Sequence, residues 1–399
     1  MSAHAPMMPL AITARTATTA CGRGAGALRD ALAARRSGLS PNDFSTTPLA
    51  TWIGRVEGLE DLALPAPLAS WECRNNRLAW LALQQDGMQD RVQALRERYG
   101  AYRVAIVIGT STSSIGATEE AYTRLDAEQR FPADLHRPIV HTVHSLGDFL
   151  QAATGLRGPC VTLATACSSS AKVFAQAARL IQSGIVDAAL VGGVDTLCGS
   201  VLFGFRSLGL ISADPCRPFD VARNGLSLGE AAGFALLERD GDGPWLLGYG
   251  ESSDAHHMSS PHPQGLGARL AMQAALQRAG LTPDAVDYIN LHGTATPKND
   301  EIEAGTVAAL FPATTSASST KAWTGHTLGA AGIVESVIAL ETIATGLVPG
   351  SLNCEQPDPA CGPQLQRENM HRGVHVAMNN SFGFGGNNCS LVFGAERGS

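Results

Sequence analysis

The stretch from residue 159 to residue 193 constrains the fold more than any other. PCVTLAT (159–165) is a short β-branched run, the length of one buried strand. It stops at ACSSS, after which Val173, Phe174, Ala177, Leu180 and Ile181 recur at helical spacing up to Gly184. DAALVGG (187–193) is strand-like again. Strand, tight turn, helix, strand is the signature of a βαβ unit, which requires a parallel sheet with helices on its faces. The chain is therefore read as α/β, with Cys167 at a strand-to-helix turn.

The same reading places helices over residues 24–38, ending at Gly38, and over residues 74–97. RVAIVIG (103–109) predicts a buried strand. In the second half, helices are expected at 268–279, 302–310 and 327–346, and strands at 286–291 and 374–379. Turn residues cluster at DGDG (240–243), which sets a boundary between an N-terminal half, 1–242, and a C-terminal half, 243–399. No repeat in the sequence links the two halves.

Only 16% of the 399 residues are charged, and alanine and glycine are abundant, which suits helices packed tightly on sheet rather than a disordered chain. A net charge of −7 argues against bulk nucleic-acid binding, and any acidic partner must find a local basic patch. No uninterrupted apolar run of membrane-spanning length occurs, and the opening MSAHAPMMPLAITARTATTACGRG lacks the basic start and long apolar stretch of a secretory leader. The nine cysteines are scattered with no C-x-x-C, favouring reduced thiols and a cytoplasmic setting.

Three positions suggest chemistry. A thiol at the start of a helix, as Cys167 is in TACSSSAK, faces unpaired backbone N–H groups that favour the thiolate. His292, in LHGTATPKND, follows a strand-like run, and His326 lies in TKAWTGHTLGAAG with Lys321 five residues upstream. Either histidine alone would more often be structural. Two of them, each at an element end beside glycine and hydroxyl residues, together with Cys167 and the glycine-rich NNSFGFGGNN, point to one assembled site.

The motifs TACSSS, HGTAT, TKAWTGHTLGAAG and NSFGFGG, in this order, resemble those of the β-ketoacyl-acyl carrier protein synthases of types I and II, as does RPFDVARNGLSLGEAAG (217–233). The resemblance runs from about residue 100 to the C-terminus. It is weak over residues 1–60, where AITARTATTACG replaces the family's glycine-rich opening strand. It implies a thiolase-like fold: two pseudo-equivalent βαβ-containing halves in a layered α-β-α-β-α core.

By the same resemblance Cys167 is the nucleophile, His292 and His326 complete a Cys-His-His triad, and Lys321 keeps His326 neutral. Phe384 matches the gating phenylalanine whose backbone N–H joins that of Cys167 in an oxyanion hole. Thr294 and Thr296 match positions that bond a phosphopantetheine arm, and Phe205 an acyl-pocket aromatic. Asp300 and Glu303 match a supporting acidic pair, and Asn290, Glu335 and Ser381 positions near a structural monovalent cation. Asn387 departs from the family's usual threonine.

The implied reaction loads an acyl group on Cys167, decarboxylates a malonyl thioester and joins the two. It needs no metal or redox cofactor, because phosphopantetheine arrives on the carrier protein. The implied partners are that carrier and a second subunit, either a copy of this chain or a related chain-length factor. Arg74, Arg77, Arg124 and Arg130 are the arginines proposed to meet the carrier. A thiolase would need a C-terminal Cys-x-Gly, whereas Cys389 precedes Ser390 and Leu391; a type III synthase would carry asparagine in place of His326. A chain-length factor would lack the cysteine. The resemblance implies primary fatty-acid synthesis or a specialised polyene or polyketide pathway. The atypical N-terminus and the KAWTGHTLGAAG wording favour the specialised option, such as aryl-polyene-type pigment synthesis.

Overall fold

The computed structural model describes residues 6–45 and 47–398; the first five residues of the segment read as lacking a secretory leader lie outside them. Ten strands form one large sheet: β1 (Leu10–Thr19), β2 (Val104–Gly109), β3 (Cys160–Leu163), β4 (Ala188–Asp195), β5 (Ala231–Glu238), β6 (Trp245–Ser253), β7 (Tyr288–Asn290), β8 (Ser316–Ser318), β9 (Val376–Gly383) and β10 (Asn387–Gly394). Their spatial order is β8-β7-β9-β10-β6-β1-β5-β4-β2-β3.

The order contains a repeat that the sequence hides. Within β1–β5, β3, β2 and β4 are parallel, and β5 and β1 continue antiparallel. Within β6–β10, β8, β7 and β9 are parallel, and β10 and β6 continue antiparallel. The two halves thus share one topology and meet where β1 pairs briefly with β6, at Leu10–Leu246 and Ala11–Trp245.

Each half contributes one buried helix to the space between. Ser169–Gln182 packs on β2 and β4 and also reaches β6 and β10; Ala331–Thr345 packs on β9 and β7 and also reaches β5 and β1. The sheet therefore wraps a central helical layer, while Arg74–Leu83 and Ser145–Thr154 cover one outer face and Leu266–Ala279 the other. This is the layered α-β-α-β-α arrangement expected. Phe174, Ile181, Ile333, Leu340 and Phe393 lie in its main apolar cluster. The two central helices cross so closely that a Cβ on Gly332 would sit 2.4 Å from the Ala171 nitrogen, which is why small residues crowd this contact. By length and composition Leu328–Thr345 could also cross a membrane, but 83% of it is buried here, and it serves as the core helix of the second half.

Several element boundaries need correction. The first helix ends at Ala33, not Gly38: Arg35 is left-handed, and Gly38 is instead a close-approach residue whose Cβ would lie 2.7 Å from the Ala20 backbone. The helix expected over 74–97 is two, Arg74–Leu83 and Met88–Tyr99, broken where Asp86 and Gly87 both have positive φ. The Asp86 carboxylate turns inward there to accept hydrogen bonds from Thr16 Oγ1 and the Ala25 N–H. AITARTATT forms the full strand β1 without the expected glycines, because Thr and Ile suit a pleated, buried position. The helix expected from 302 starts at Pro297, a residue favoured in a first helical turn.

Candidate active site

Cys167 lies between β3 and the helix Ser169–Gln182, and the residue before it, Ala166, is held at φ +52°. A non-glycine residue in that region is strained, and such strain concentrates at functional turns. Ala166 O is pinned by three donors: the Ser169 N–H (3.1 Å), Ser169 Oγ (2.6 Å) and Ser111 Oγ (3.2 Å). His292 follows β7. His326 is held by its own backbone, its N–H donating to Ser227 O (2.7 Å) and its carbonyl accepting from the Gly229 N–H (3.0 Å).

The triad expected from the sequence comes together. His326 Nε2 is 3.0 Å from Cys167 Sγ, the two imidazole centroids are 5.4 Å apart at 85°, and one ligand atom from each of the three residues lies within 4.8 Å of the others. That spacing would also suit a metal ion. However, Lys321 Nζ lies 3.5 Å from His292 Nδ1, so an added cation would be repelled, and the charge pattern suits a developing anion instead.

The two histidines are held differently. The Lys321 ammonium faces His292 Nδ1, keeps that nitrogen unprotonated and leaves the ring proton on Nε2. Lys321 also donates to His292 O and to Glu335, a buried partner on the central helix. The lysine is thus in contact with His292, and its charge also acts on His326, as the sequence implied. His326 Nδ1 is buried with no hydrogen-bond partner among the described residues, so its ring can carry its proton on either nitrogen. Both imidazoles are held well below the ordinary histidine range, first by burial and then by Lys321. They are neutral at pH 7.

The helix start does not make Cys167 a resting thiolate, contrary to expectation. Burial pushes the thiol up to about 12, against the opposing pull of Lys321 and of the Phe384 N–H directed at the sulfur. Its proton must leave as substrate arrives, and His326 Nε2 is in hydrogen-bond reach to take it.

Asp300 and Glu303, one helical turn apart, hold the turn that carries His292. Glu303 accepts the N–H groups of His292 and Gly293 (both 2.8 Å), and Asp300 those of Ala295 and Phe219. Burial raises Glu303 to about 7 and Asp300 to about 6. Thr294 and Thr296 share a 2.8 Å hydroxyl contact and line the pocket over Cys167, which has a volume of about 310 Å³, within the small-molecule range. Phe205 and Phe384 stack across that pocket at 5.5 Å. Apolar Leu208, Leu210 and Leu226 and the segment Ser259–Pro261 also line it. Sequence reasoning missed these, because a pocket wall gathered from distant loops has no local period.

The four arginines expected to meet a partner are all paired. Arg74 binds buried Glu230 and Glu60, Arg77 binds Glu72, Arg124 binds Asp134 (3.1 Å), and Arg130 binds Asp126 (3.0 Å). Lys298 lines the pocket and is likewise paired, with Glu301 (3.3 Å), whereas Arg206, next in sequence to the lining residue Phe205, is exposed and has no carboxylate partner among the described residues.

Comparison with known proteins agrees with this geometry. Residues 75–242 match the family described as beta-ketoacyl synthase, N-terminal domain, and residues 245–355 match its C-terminal domain. The chain is 34% identical over 338 residues to 3-oxoacyl-[acyl-carrier-protein] synthase 2 of Vibrio cholerae, covering 77% of this chain and 81% of that one. Among solved structures it is similar to a chain of the ketosynthase ApeO in complex with its chain length factor ApeC from Xenorhabdus doucetiae. There the TM-score is 0.90 at 35% identity, with 98% of each chain covered. It is also similar to the ishigamide ketosynthase/chain length factor, with a TM-score of 0.89 at 25% identity, covering 98% of this chain and 100% of that one.

Proposed function

Because the chain belongs to the β-ketoacyl synthase family, we propose that it condenses an acyl thioester with malonyl-acyl carrier protein, releasing carbon dioxide, in fatty-acid or polyene synthesis. The observation that carries this is the convergence of one thiol and two neutral imidazoles on a single pocket.

In the first half-reaction Cys167 Sγ attacks the acyl carbonyl. His326 Nε2 takes the thiol proton and returns it to the departing carrier sulfur, while the oxyanion meets backbone N–H groups at Cys167 and Phe384. In the second, the malonyl C–C bond breaks and carbon dioxide leaves. The electron pair passes to an enolate whose oxygen accepts N–H from His292 and His326. The enolate carbon then attacks the acyl-cysteine carbonyl, a C–C bond forms, the C–S bond breaks, and Cys167 leaves as a thiolate that takes up one proton from solvent through His326. His292 acts only as a donor, while His326 serves both half-reactions by holding its proton on one nitrogen and then the other.

A structural monovalent cation fits the chain. Asn290 Oδ1, Glu335 Oε2 and Ser381 Oγ, the positions the resemblance implied, are each buried without a hydrogen-bond partner among the described residues, as is neighbouring Asn379 Oδ1. Such oxygen donors suit a hard cation. The ion would supply positive charge beside Glu335 and stiffen the layer beneath Lys321.

The free edge of the sheet supports pairing with a second chain. β3 ends the sheet, its residues are half-buried, and Ile115, Ile139 and Val143 are exposed on other segments of the same half. A copy of this chain or a chain-length-factor relative would cover that edge, and carrier would approach the pocket mouth at Arg206 and Lys298. A reduced, cytoplasmic setting is supported by the nine free cysteines.

The test is reconstitution with acyl-carrier and malonyl-carrier substrates, the chain alone and with a chain-length-factor relative. The expected result is a β-ketoacyl product extended by two carbons, with one carbon dioxide released per product. Acyl exchange without carbon dioxide release, or no product in either arrangement, would contradict the proposal.

A further inference from the structure

Asp195, the last residue of β4, is fully buried and has no cationic partner among the described residues. A carboxylate in such a place needs several fixed donors. Its Oδ1 accepts from Thr110 Oγ1, Thr112 Oγ1 and the Thr112 N–H, each at 2.7 Å, and the Ser111 N–H is shared between Oδ1 (2.9 Å) and Oδ2 (3.0 Å). Every one of these donors belongs to the turn that follows β2.

From that turn, two contacts lead to the active site. Ser111 Oγ donates to Ala166 O (3.2 Å), the carbonyl of the strained residue that aims Cys167. On the other side, Asp195 Oδ2 and Ser111 Oγ press against Gly329, where a Cβ would lie 2.7 Å from each. Gly329 follows left-handed Leu328 and stands three residues after His326. One carboxylate and one hydroxyl therefore touch both the turn bearing the nucleophile and the segment bearing its base, two parts of the chain 159 positions apart.

We propose that Asp195 and Ser111 are positioning residues that set the sulfur of Cys167 against His326 by clamping the Ala166 turn to the Gly329 segment. They touch neither substrate nor reacting atoms. The clamp rests on the reading of Cys167 as nucleophile. His326 and His292 face the sulfur, while the charges of Lys321, Glu335 and Asp195 act on it without direct contact, so the Asp195 charge also opposes thiolate formation while its geometry favours productive attack. Position and charge can therefore be separated by mutation.

The experiment uses the full chain carrying Ser111→Ala or Asp195→Asn, with folding verified by circular dichroism and thermal melting. It follows acylation of Cys167 in a single turnover and, independently of any acyl carrier, the pH dependence of its alkylation by iodoacetamide. Ser111→Ala is expected to slow acylation by tenfold or more, towards about 10²-fold, with the half-saturating acyl-carrier concentration and the alkylation midpoint unchanged. Asp195→Asn is expected to slow acylation similarly while moving the alkylation midpoint to lower pH. A folded Ser111→Ala protein that acylates at the parent rate overturns the clamp, as does a folded Asp195→Asn protein that does so. If Asp195→Asn does not fold, Ser111→Ala decides alone. A mistaken substrate class would leave the parent protein itself unacylated, so it cannot imitate either failure.

Discussion

Glutamine in place of Cys167 is expected to lower condensation by on the order of 10⁶-fold while decarboxylation of the malonyl thioester continues. The first effect follows because the carbon–sulfur bond of the acyl-enzyme cannot form, and loss of a nucleophile that acts as one unit with its base removes nearly all of the catalysis they supply together. The second follows from the division of labour in the pocket. The enolate oxygen is met by the two imidazoles, and neither depends on the sulfur to stay in place: His292 is held through Lys321 and Glu303, and His326 through the Ser227 and Gly229 backbone. Radiolabelled carbon dioxide and product formation, measured together on the variant, check the prediction. Loss of both activities in a folded protein would place the sulfur inside the decarboxylation step.

Removing the His292 imidazole should do the reverse. His292→Ala is expected to slow carbon dioxide release by roughly 10²- to 10³-fold, equivalent to about 2.7–4 kcal/mol, the usual cost of losing one preorganised donor to an oxyanion. Acyl loading should survive, because His292 is a fixed donor and His326 is the ring in contact with Cys167 Sγ. His326→Ala should damage both steps. The pH profile adds a sign. Both rings are held well below 6.5 by burial and Lys321, so they stay neutral as pH falls through 6.5 and take up protons only at lower pH. The rings should therefore add no step to carbon dioxide release near the ordinary histidine value. The step expected on lowering pH from 8 is that of Glu303, which burial raises to about 7 and which holds the His292 turn. Glu303→Gln should remove it, whereas a decline near 6.5 that persists in Glu303→Gln would show charged or exposed rings.

The βαβ unit around Cys167 was legible because each of its parts is local: a β-branched strand, a run of small hydroxyl residues, and a helical period. The three reacting residues were legible for a different reason, since their motifs resemble a known family in both wording and order. What escaped was set by distant parts of the chain. The broken helix at Asp86 and Gly87 depends on a carboxylate turning towards Thr16, seventy positions away. The state of Cys167 was misjudged because the local rule, a thiol at a helix start, is outweighed by burial under two histidines and a phenylalanine turn. The four arginines considered for carrier docking read as free charges until their acidic partners folded beside them, and Glu230, the partner of Arg74, lies 156 residues on. Asp195 gave one faint signal, an acidic residue closing an otherwise apolar strand, GGVD, where burial makes any carboxylate costly unless it is holding something.

The most direct measurement is the intact mass of the protein after brief exposure to a panel of acyl-carrier substrates, followed by peptide mapping. A single acyl group attached through a thioester to the peptide bearing Cys167, absent from Cys167→Ala and discharged on adding malonyl carrier, is the predicted result. An acyl adduct of the same mass persisting in Cys167→Ala, or one on the parent protein that malonyl carrier leaves untouched, would contradict the account.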